Sequence, residues 1–151
     1  MPDLSSPPQS LAVRLAECWA KPVDLLVVED NEMLCQCLQA IAKQYACRLH
    51  FAHTGEDALD MIRTLDYKAV ILDLLLPGIS GIDVFRHMMA NQIDVPVCVM
   101  TGIPLNDKVI DELYDVGWCL FCRKPKDFTE QWFRTFFRIL GIRPLSASQA
   151  A

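Results

Sequence analysis

The sequence predicts an α/β fold: a doubly wound, five-stranded parallel sheet with five flanking helices. Three observations predict it. Five short runs of continuous apolar residues recur along the chain, each bounded by polar residues. Segments of helical length and amphipathic spacing separate them. Strands apolar on both faces that alternate with helices belong to a parallel sheet covered on both sides.

The first run is "DLLVVED", Asp24 to Asp30, and the segment Asn31 to Tyr45 follows with Leu34, Leu38 and Ile41 at helical spacing. "RLHFAH" (Arg48 to His53) is the second strand. The segment Thr54 to Leu65 opens with "TGED" and carries Ala58, Met61, Ile62 and Leu65. "KAVILD" (Lys68 to Asp73) is the third, followed by a helix over Ser80 to Met89 with Ile82, Phe85, Met88 and Met89. "VPVCVMT" (Val95 to Thr101) is the fourth, followed by a more polar helix over Asn106 to Val116. "WCLFCRK" (Trp118 to Lys124) is the fifth, and Asp127 to Leu140 is strongly helical. These elements define a domain over residues 23–140. Residues 1–22 form an N-terminal extension, Pro/Ser-rich and partly mobile, with a short helix expected over 10–20 from Leu11, Leu15 and Trp19. Residues 141–151 are expected to be a disordered tail.

Composition narrows the function. The 151 residues suit one domain, and 52% of them are apolar, enough for a core. A net charge of -5 without any basic run argues against nucleic acid as a partner. The N-terminus lacks the pattern of a signal peptide, and no apolar run reaches membrane-spanning length, so a cytoplasmic chain with no membrane partner is expected. Seven cysteines, an odd number, argue against a disulfide framework. Cys35 and Cys37 are two apart on a helix, and Cys119 and Cys122 three apart on a strand. Neither spacing brings two sulfurs to one metal, so free thiols packed as small hydrophobes are expected.

In an open parallel sheet, ligands bind just past the carboxyl ends of the strands. Strand one ends in Glu29-Asp30, strand three in Asp73, strand four in Thr101 and strand five in Lys124. Taken singly, each has a bland reading: Asp30 could cap the helix beginning at Asn31, Thr101 could start a turn, Lys124 could be a solvated surface lysine. Together they form a set. Three clustered carboxylates call for a divalent cation, and oxygen ligands of this kind suit Mg²⁺. Lys124 offers a positive charge to a phosphoryl oxygen, and Thr101 a hydroxyl donor. An aspartate can itself be the nucleophile of phosphoryl transfer, giving an aspartyl-phosphate. Leu74, Leu75 and Leu76 are expected to anchor the strand end and limit water there.

With these residues the chain resembles the receiver domain of two-component response regulators, the chemotaxis-receiver type included, over roughly Asp24 to Leu140. Glu29-Asp30 matches the acidic pair of that family and Asp73 its phosphorylated aspartate. "DLLLPGISG" matches the Asp-x-x-x-Pro-x-x-x-Gly signature through Pro77 and Gly81. Thr101-Gly102 matches the switch hydroxyl and its small neighbour, and Lys124-Pro125 the lysine-proline pair. The resemblance implies a flavodoxin-like strand order 2-1-3-4-5. It implies Mg²⁺ bound by Glu29 (through water), Asp30, Asp73 and the backbone carbonyl of Leu75. It implies phosphotransfer to Asp73 assisted by Thr101 and Lys124, from a histidine kinase or histidine phosphotransfer protein. Thr101 would then move inward and Phe121, at the switch-aromatic position, would rotate into the vacated space.

Two departures qualify the resemblance. Leu75 and Ile103, two after Asp73 and Thr101, stand where the family often has polar residues, which predicts hindered attack by water and a long-lived phosphorylated state. Phe121 lacks a hydroxyl that a partner could bond. The last helix is unusually aromatic, with Phe128, Trp132, Phe133, Phe136, Phe137 and Leu140. What the core leaves of that stripe suits a downstream protein or a homodimer. Eleven residues follow Leu140, too few for an output domain. A stand-alone bacterial response regulator is therefore expected, a phosphoprotein rather than an enzyme, beyond its own phosphotransfer and slow autodephosphorylation. The alternatives are a phosphorylation-independent pseudo-receiver acting as an interaction module, or a receiver cut from a longer regulator or hybrid kinase. A haloacid-dehalogenase-like phosphatase wants a second aspartate two after the nucleophile, and here that place is Leu75.

Overall fold

A computed structural model describes residues 21–150. The chain order there is β1 (Val23–Val28), α1 (Glu32–Ala42), β2 (Cys47–Ala52), α2 (Gly55–Thr64), β3 (Ala69–Leu72), α3 (Gly81–Ala90), β4 (Val97–Thr101), α4 (Asp107–Val116), β5 (Leu120–Arg123) and α5 (Glu130–Ile139). The five strands form one parallel sheet in the order β2-β1-β3-β4-β5. This is the flavodoxin-like doubly wound sheet that the alternating pattern predicts. The helix expected over residues 10–20 lies outside the described residues.

Local chemistry sets the start of every helix described. Asn31, Thr54, Ser80, Asn106 and Thr129 each stand at the N-cap in extended conformation, and each side chain accepts an amide hydrogen from three residues on. Such caps satisfy a helix N–H that would otherwise lack a partner. The cap of α1 is thus Asn31, not Asp30 as the sequence allowed. The Asp30 carboxylate is thereby left without a hydrogen bond among the described residues.

Alternation along the strands divides the core between two faces. Leu26, Val28, Val70, Leu72, Val97 and Val99 pack with Ala58, Val84, Phe85, Met88 and Leu113 under α2, α3 and α4. Leu25, Val27, Ala69, Ile71, Cys98, Met100 and Cys122 pack on the other face under Leu38 of α1 and Phe133, Phe136 and Phe137 of α5. Cys119 belongs to the first face and Cys122 to the second, so the two sulfurs are separated by the sheet, as their spacing predicts. Burial pushes the Cys119 thiol to about 11 and the Cys122 thiol to about 12. They are protonated hydrophobes, not thiolates.

Two expectations need correction. Of the three leucines after Asp73, only Leu74 is buried at 3% exposure, while Leu75 is 63% exposed. The chain turns out of the sheet at Asp73, so a side chain two residues later faces solvent. Residues 142–145, expected within a disordered tail, are docked. Ile142 is 5% exposed. The Ile142 amide donates to Phe137 O (2.8 Å), the Ala46 amide to Arg143 O (3.0 Å) and the Leu145 amide to Gln44 O (2.8 Å). A buried apolar side chain and three backbone bonds outweigh the local polarity of "IRPLSASQAA". Among the described residues, no helix is long and apolar enough to cross a membrane.

The β3–α3 turn explains one glycine of the sequence signature. A Cβ on Gly81 would collide with the Asp73 carbonyl oxygen and lie 2.8 Å from Leu74 Cα, both main-chain atoms. Gly81→Ala is therefore expected to cost about 1–3 kcal/mol by overpacking, measured by urea unfolding.

Candidate functional site

β1 and β3 are adjacent although β2 lies between them in sequence, and their neighbouring carboxyl ends open the switch-point crevice. Val28 and Leu72 pair in register, which puts Glu29 and Asp73 side by side. The Asp73 amide donates to Val28 O (3.0 Å) and fixes the turn. Thr101 ends β4 in register with Arg123 of β5, and the Lys124 amide donates to Thr101 O (2.8 Å). The Lys124-Pro125 peptide is cis. All five strand-end residues that the sequence singles out therefore meet at one edge of the sheet.

The side chains are bonded to one another. Lys124 Nζ donates to Glu29 Oε2 and to Asp73 Oδ2, both at 2.8 Å. The other oxygen of each acid takes a main-chain amide: Asn31 N–H to Glu29 Oε1 (3.0 Å) and Leu75 N–H to Asp73 Oδ1 (3.1 Å). Glu29 is 1% exposed, Asp73 4% and Thr101 0%, so these are interior polar groups that need such partners. Thr101 Oγ1 accepts the Ile103 amide (3.1 Å). Asp30 differs, being exposed and without a hydrogen bond or ion pair among the described residues.

Electrostatics follow from burial and pairing. Burial pushes the Glu29 carboxyl above the usual carboxylate range, although the bonds from Lys124 and Asn31 work the other way. Burial acts against the charge of Lys124, and its bonds to Asp73 and Glu29 outweigh it, so the ammonium is held above its ordinary value. One oxygen each of Glu29, Asp30 and Asp73 lies within 4.8 Å of the others. Three carboxylates against one ammonium leave an excess of negative charge, and every donor offered is oxygen. That set fits a hard divalent cation.

Phe121 is half-buried on β5, edge-to-face with Tyr114 of α4 at 5.7 Å between centroids. Ile103 is half-buried beside the core and Leu75 is exposed at the rim. The sequence reading missed the two main-chain amides, of Asn31 and Leu75, that complete the bonding of the buried acids. Backbone donors carry no side-chain signal, and only their position just past a strand end could have marked them. It missed Glu56 as well, whose carboxylate accepts the Ile79 amide (3.1 Å) and braces the loop after Asp73.

A family model, the response regulator receiver domain, matches residues 25–131. The cell cycle transcriptional regulator CtrA of Caulobacter vibrioides is 31% identical over 78 residues, 52% of this chain and 34% of that protein. The cell cycle response regulator CtrA of Brucella ovis is 28% identical over 86 residues, 56% of this chain and 37% of that one. The chain thus matches about a third of the length of these curated relatives. Among solved structures, a CheY-like receiver domain protein from Methanospirillum hungatei superposes with a TM-score of 0.72 at 15% identity, over 80% of this chain and 95% of that one. The receiver domain of a sensor histidine kinase from Pseudomonas aeruginosa, a structure with magnesium coordinated in the active site cleft, gives 0.68 at 24%, over 80% and 98%. At those identities the likeness is one of fold.

Proposed function

This chain belongs to the response regulator receiver family of two-component signalling, and on that premise we propose that it is a phosphorylation-switched module with Asp73 as phosphoacceptor. The observation that carries the reading is Lys124 Nζ at 2.8 Å from both Glu29 and Asp73, with the Asp30 carboxylate beside them. The donor is a phosphohistidine of a histidine kinase or histidine phosphotransfer protein. A carboxylate oxygen of Asp73 attacks phosphorus, the phosphorus–nitrogen bond breaks, and the electron pair leaves with the imidazole, which takes up a proton. Lys124 gives up its bond to Asp73 and neutralises a phosphoryl oxygen, while Thr101 turns its hydroxyl to another.

Mg²⁺ would be held by Asp30, Asp73 and the backbone carbonyl of Leu75, with Glu29 acting through water. When bound it screens the carboxylates from the incoming phosphoryl group. Movement of Thr101 toward that group opens space for Phe121, and the change is read on the side of α4, β5 and α5. Tyr114, Trp118 and Ile139 are exposed there, at 51%, 67% and 63%, and offer contacts to a downstream protein or to a second copy. On this reading the domain works in the cytoplasm and does no chemistry beyond its own phosphotransfer and slow autodephosphorylation.

Incubation with Mg²⁺ and acetyl phosphate tests this. Intact mass should rise by one phosphoryl group in a base-labile, acid-stable adduct that EDTA prevents and Asp73→Asn abolishes. No adduct, or one that survives Asp73→Asn, would leave a phosphorylation-independent interaction module. The apolar residues at 75 and 103 predict slow loss of the label. Leu75→Asn should speed that loss several-fold, followed by mass spectrometry after donor removal, and an unchanged rate would count against a role for Leu75.

A further inference from the structure

A second concavity borders the acidic crevice. It measures about 520 Å³ and opens between the first turn of α1 and the loop that joins β5 to α5. Asn31, Gly102 and Lys124 form its inner edge. Asn31 follows Asp30, Gly102 follows Thr101, and Lys124 is itself bonded to Glu29 and Asp73. The pocket and the crevice therefore share a wall. Met33, Leu34, Pro125 and Phe128 supply the rest, and none of them carries a charge.

The pocket also explains apolar surface that the core does not use. Leu34 has the helical spacing of a core residue with Leu38 and Ile41, yet among the described residues it joins neither core cluster. The buried stripe of α1 starts one residue later, at Cys35, and Leu34 lines the pocket instead. Met33 joins neither cluster either and is 73% exposed. Phe128 is held edge-to-face on Phe133 at 5.3 Å between centroids, so its ring is a fixed wall. Met33 is unbranched and can close over an occupant. A Cβ on Gly102 would meet nothing within 4 Å, so the edge shared with the crevice stays open. An occupant that spans this edge needs an anionic phosphoryl group beside Lys124 and an apolar body of ring size behind it. The volume is that of a small-molecule site.

We propose that this pocket seats the leaving group of a small acyl phosphate, so that besides a phosphohistidine the chain takes a phosphodonor with an apolar body. The inference rests on Asp73 being the phosphoacceptor. A carboxylate oxygen of Asp73 attacks phosphorus, and the bond from phosphorus to the acyl oxygen breaks. The electron pair leaves with the carboxylate product, which needs no proton at neutral pH. Benzoyl phosphate and acetyl phosphate are the probes, alike in the reacting group and different in the body. With the full chain, Mg²⁺ and subsaturating donor, uptake followed by intact mass should run roughly tenfold faster from benzoyl phosphate. Met33→Ser should cut that ratio about threefold without changing the urea midpoint, and Met33→Leu should keep it. Leu65→Ser, at an exposed position where α2 ends on the other face of the sheet, should leave the ratio as it is. Label from neither donor would overturn the phosphoacceptor reading and this inference with it. Equal rates from the two donors would overturn this inference alone and leave the pocket to a protein partner. A ratio that Met33→Ser does not change would also overturn it, since the preference would then reflect donor reactivity.

Discussion

Lys124→Ala should destabilise the metal-free protein by about 3–5 kcal/mol at pH 7, because it leaves buried acids without their counter-charge. Lys124 is the common partner of Glu29 and Asp73, and its side chain is only 16% exposed. Glu29 at 1% exposure cannot turn to water for a replacement. The sign of the pH dependence follows from the two shifts. Glu29 has a raised carboxyl pKa in the folded state, so between the unfolded value near 4.5 and that raised value the folded chain holds more protons. Stability then falls as pH rises through this window. Loss of Lys124 removes a bond that lowers the Glu29 pKa, so the variant should lean more on that proton and recover stability as pH drops toward 4.5. The wild-type ammonium, raised above 10.5, keeps its full contribution below that pH and loses it only as pH rises through the folded value. Urea unfolding of both proteins at pH 5, 7 and 9 checks this. Equal losses at pH 5 and 7 would mean that the buried acids do not cause the instability. Phosphoryl uptake should fall too, and Lys124→Arg should restore stability better than uptake, because a planar fork does not reproduce the point charge that Lys124 sets between Glu29 and Asp73.

The sheet was legible because its signal is local. An apolar run as short as Leu25–Val28 or Ala69–Leu72, bounded by polar residues, suits a strand buried on both faces, and the polar residue that follows it marks the end of the strand. The acidic site was legible for the same reason, since three carboxylates, a hydroxyl and an ammonium stand at the ends of four of the five strands. The resemblance to a known family added the roles, which spacing alone does not assign.

What stayed hidden depends on tertiary context. Leu75 sits in a run of three leucines, and only the turn at Asp73 makes it an exposed side chain rather than a packed one. "IRPLSASQAA" lacks any period, yet Ile142 joins the buried cluster of Phe137, and the backbone bonds to Gln44 and Ala46 of the α1–β2 turn. Asp30 and Asn31 are both good helix caps, and the sequence could not choose between them. The choice falls on Asn31, whose amide also serves Glu29, so one residue caps the helix and satisfies the buried acid.

That choice gives Asp30 its own expected signature. Glu29 and Asp73 each have both oxygens bonded, whereas Asp30 is exposed and unbonded among the described residues. Asp30 thus contributes repulsion and no bond to the folded state without metal. Asp30→Asn should leave the stability of the EDTA-treated protein within about 0.5 kcal/mol of wild type, or raise it slightly. Of the three clustered carboxylates, the same change removes the one that a cation can engage without competing against Lys124. Mg²⁺ affinity, followed by calorimetric titration, should fall at least about 100-fold, beyond what loss of an outer hydrogen bond costs a metal site. Phosphoryl uptake from acetyl phosphate should fall with it and recover in part at high Mg²⁺. A residue of purely structural importance would show the reverse, a less stable fold with unchanged metal affinity. Lys124→Ala and Asp30→Asn therefore separate two duties within one cluster: the lysine holds the buried acids in the fold, and the free aspartate holds the charge that must arrive with the phosphoryl group.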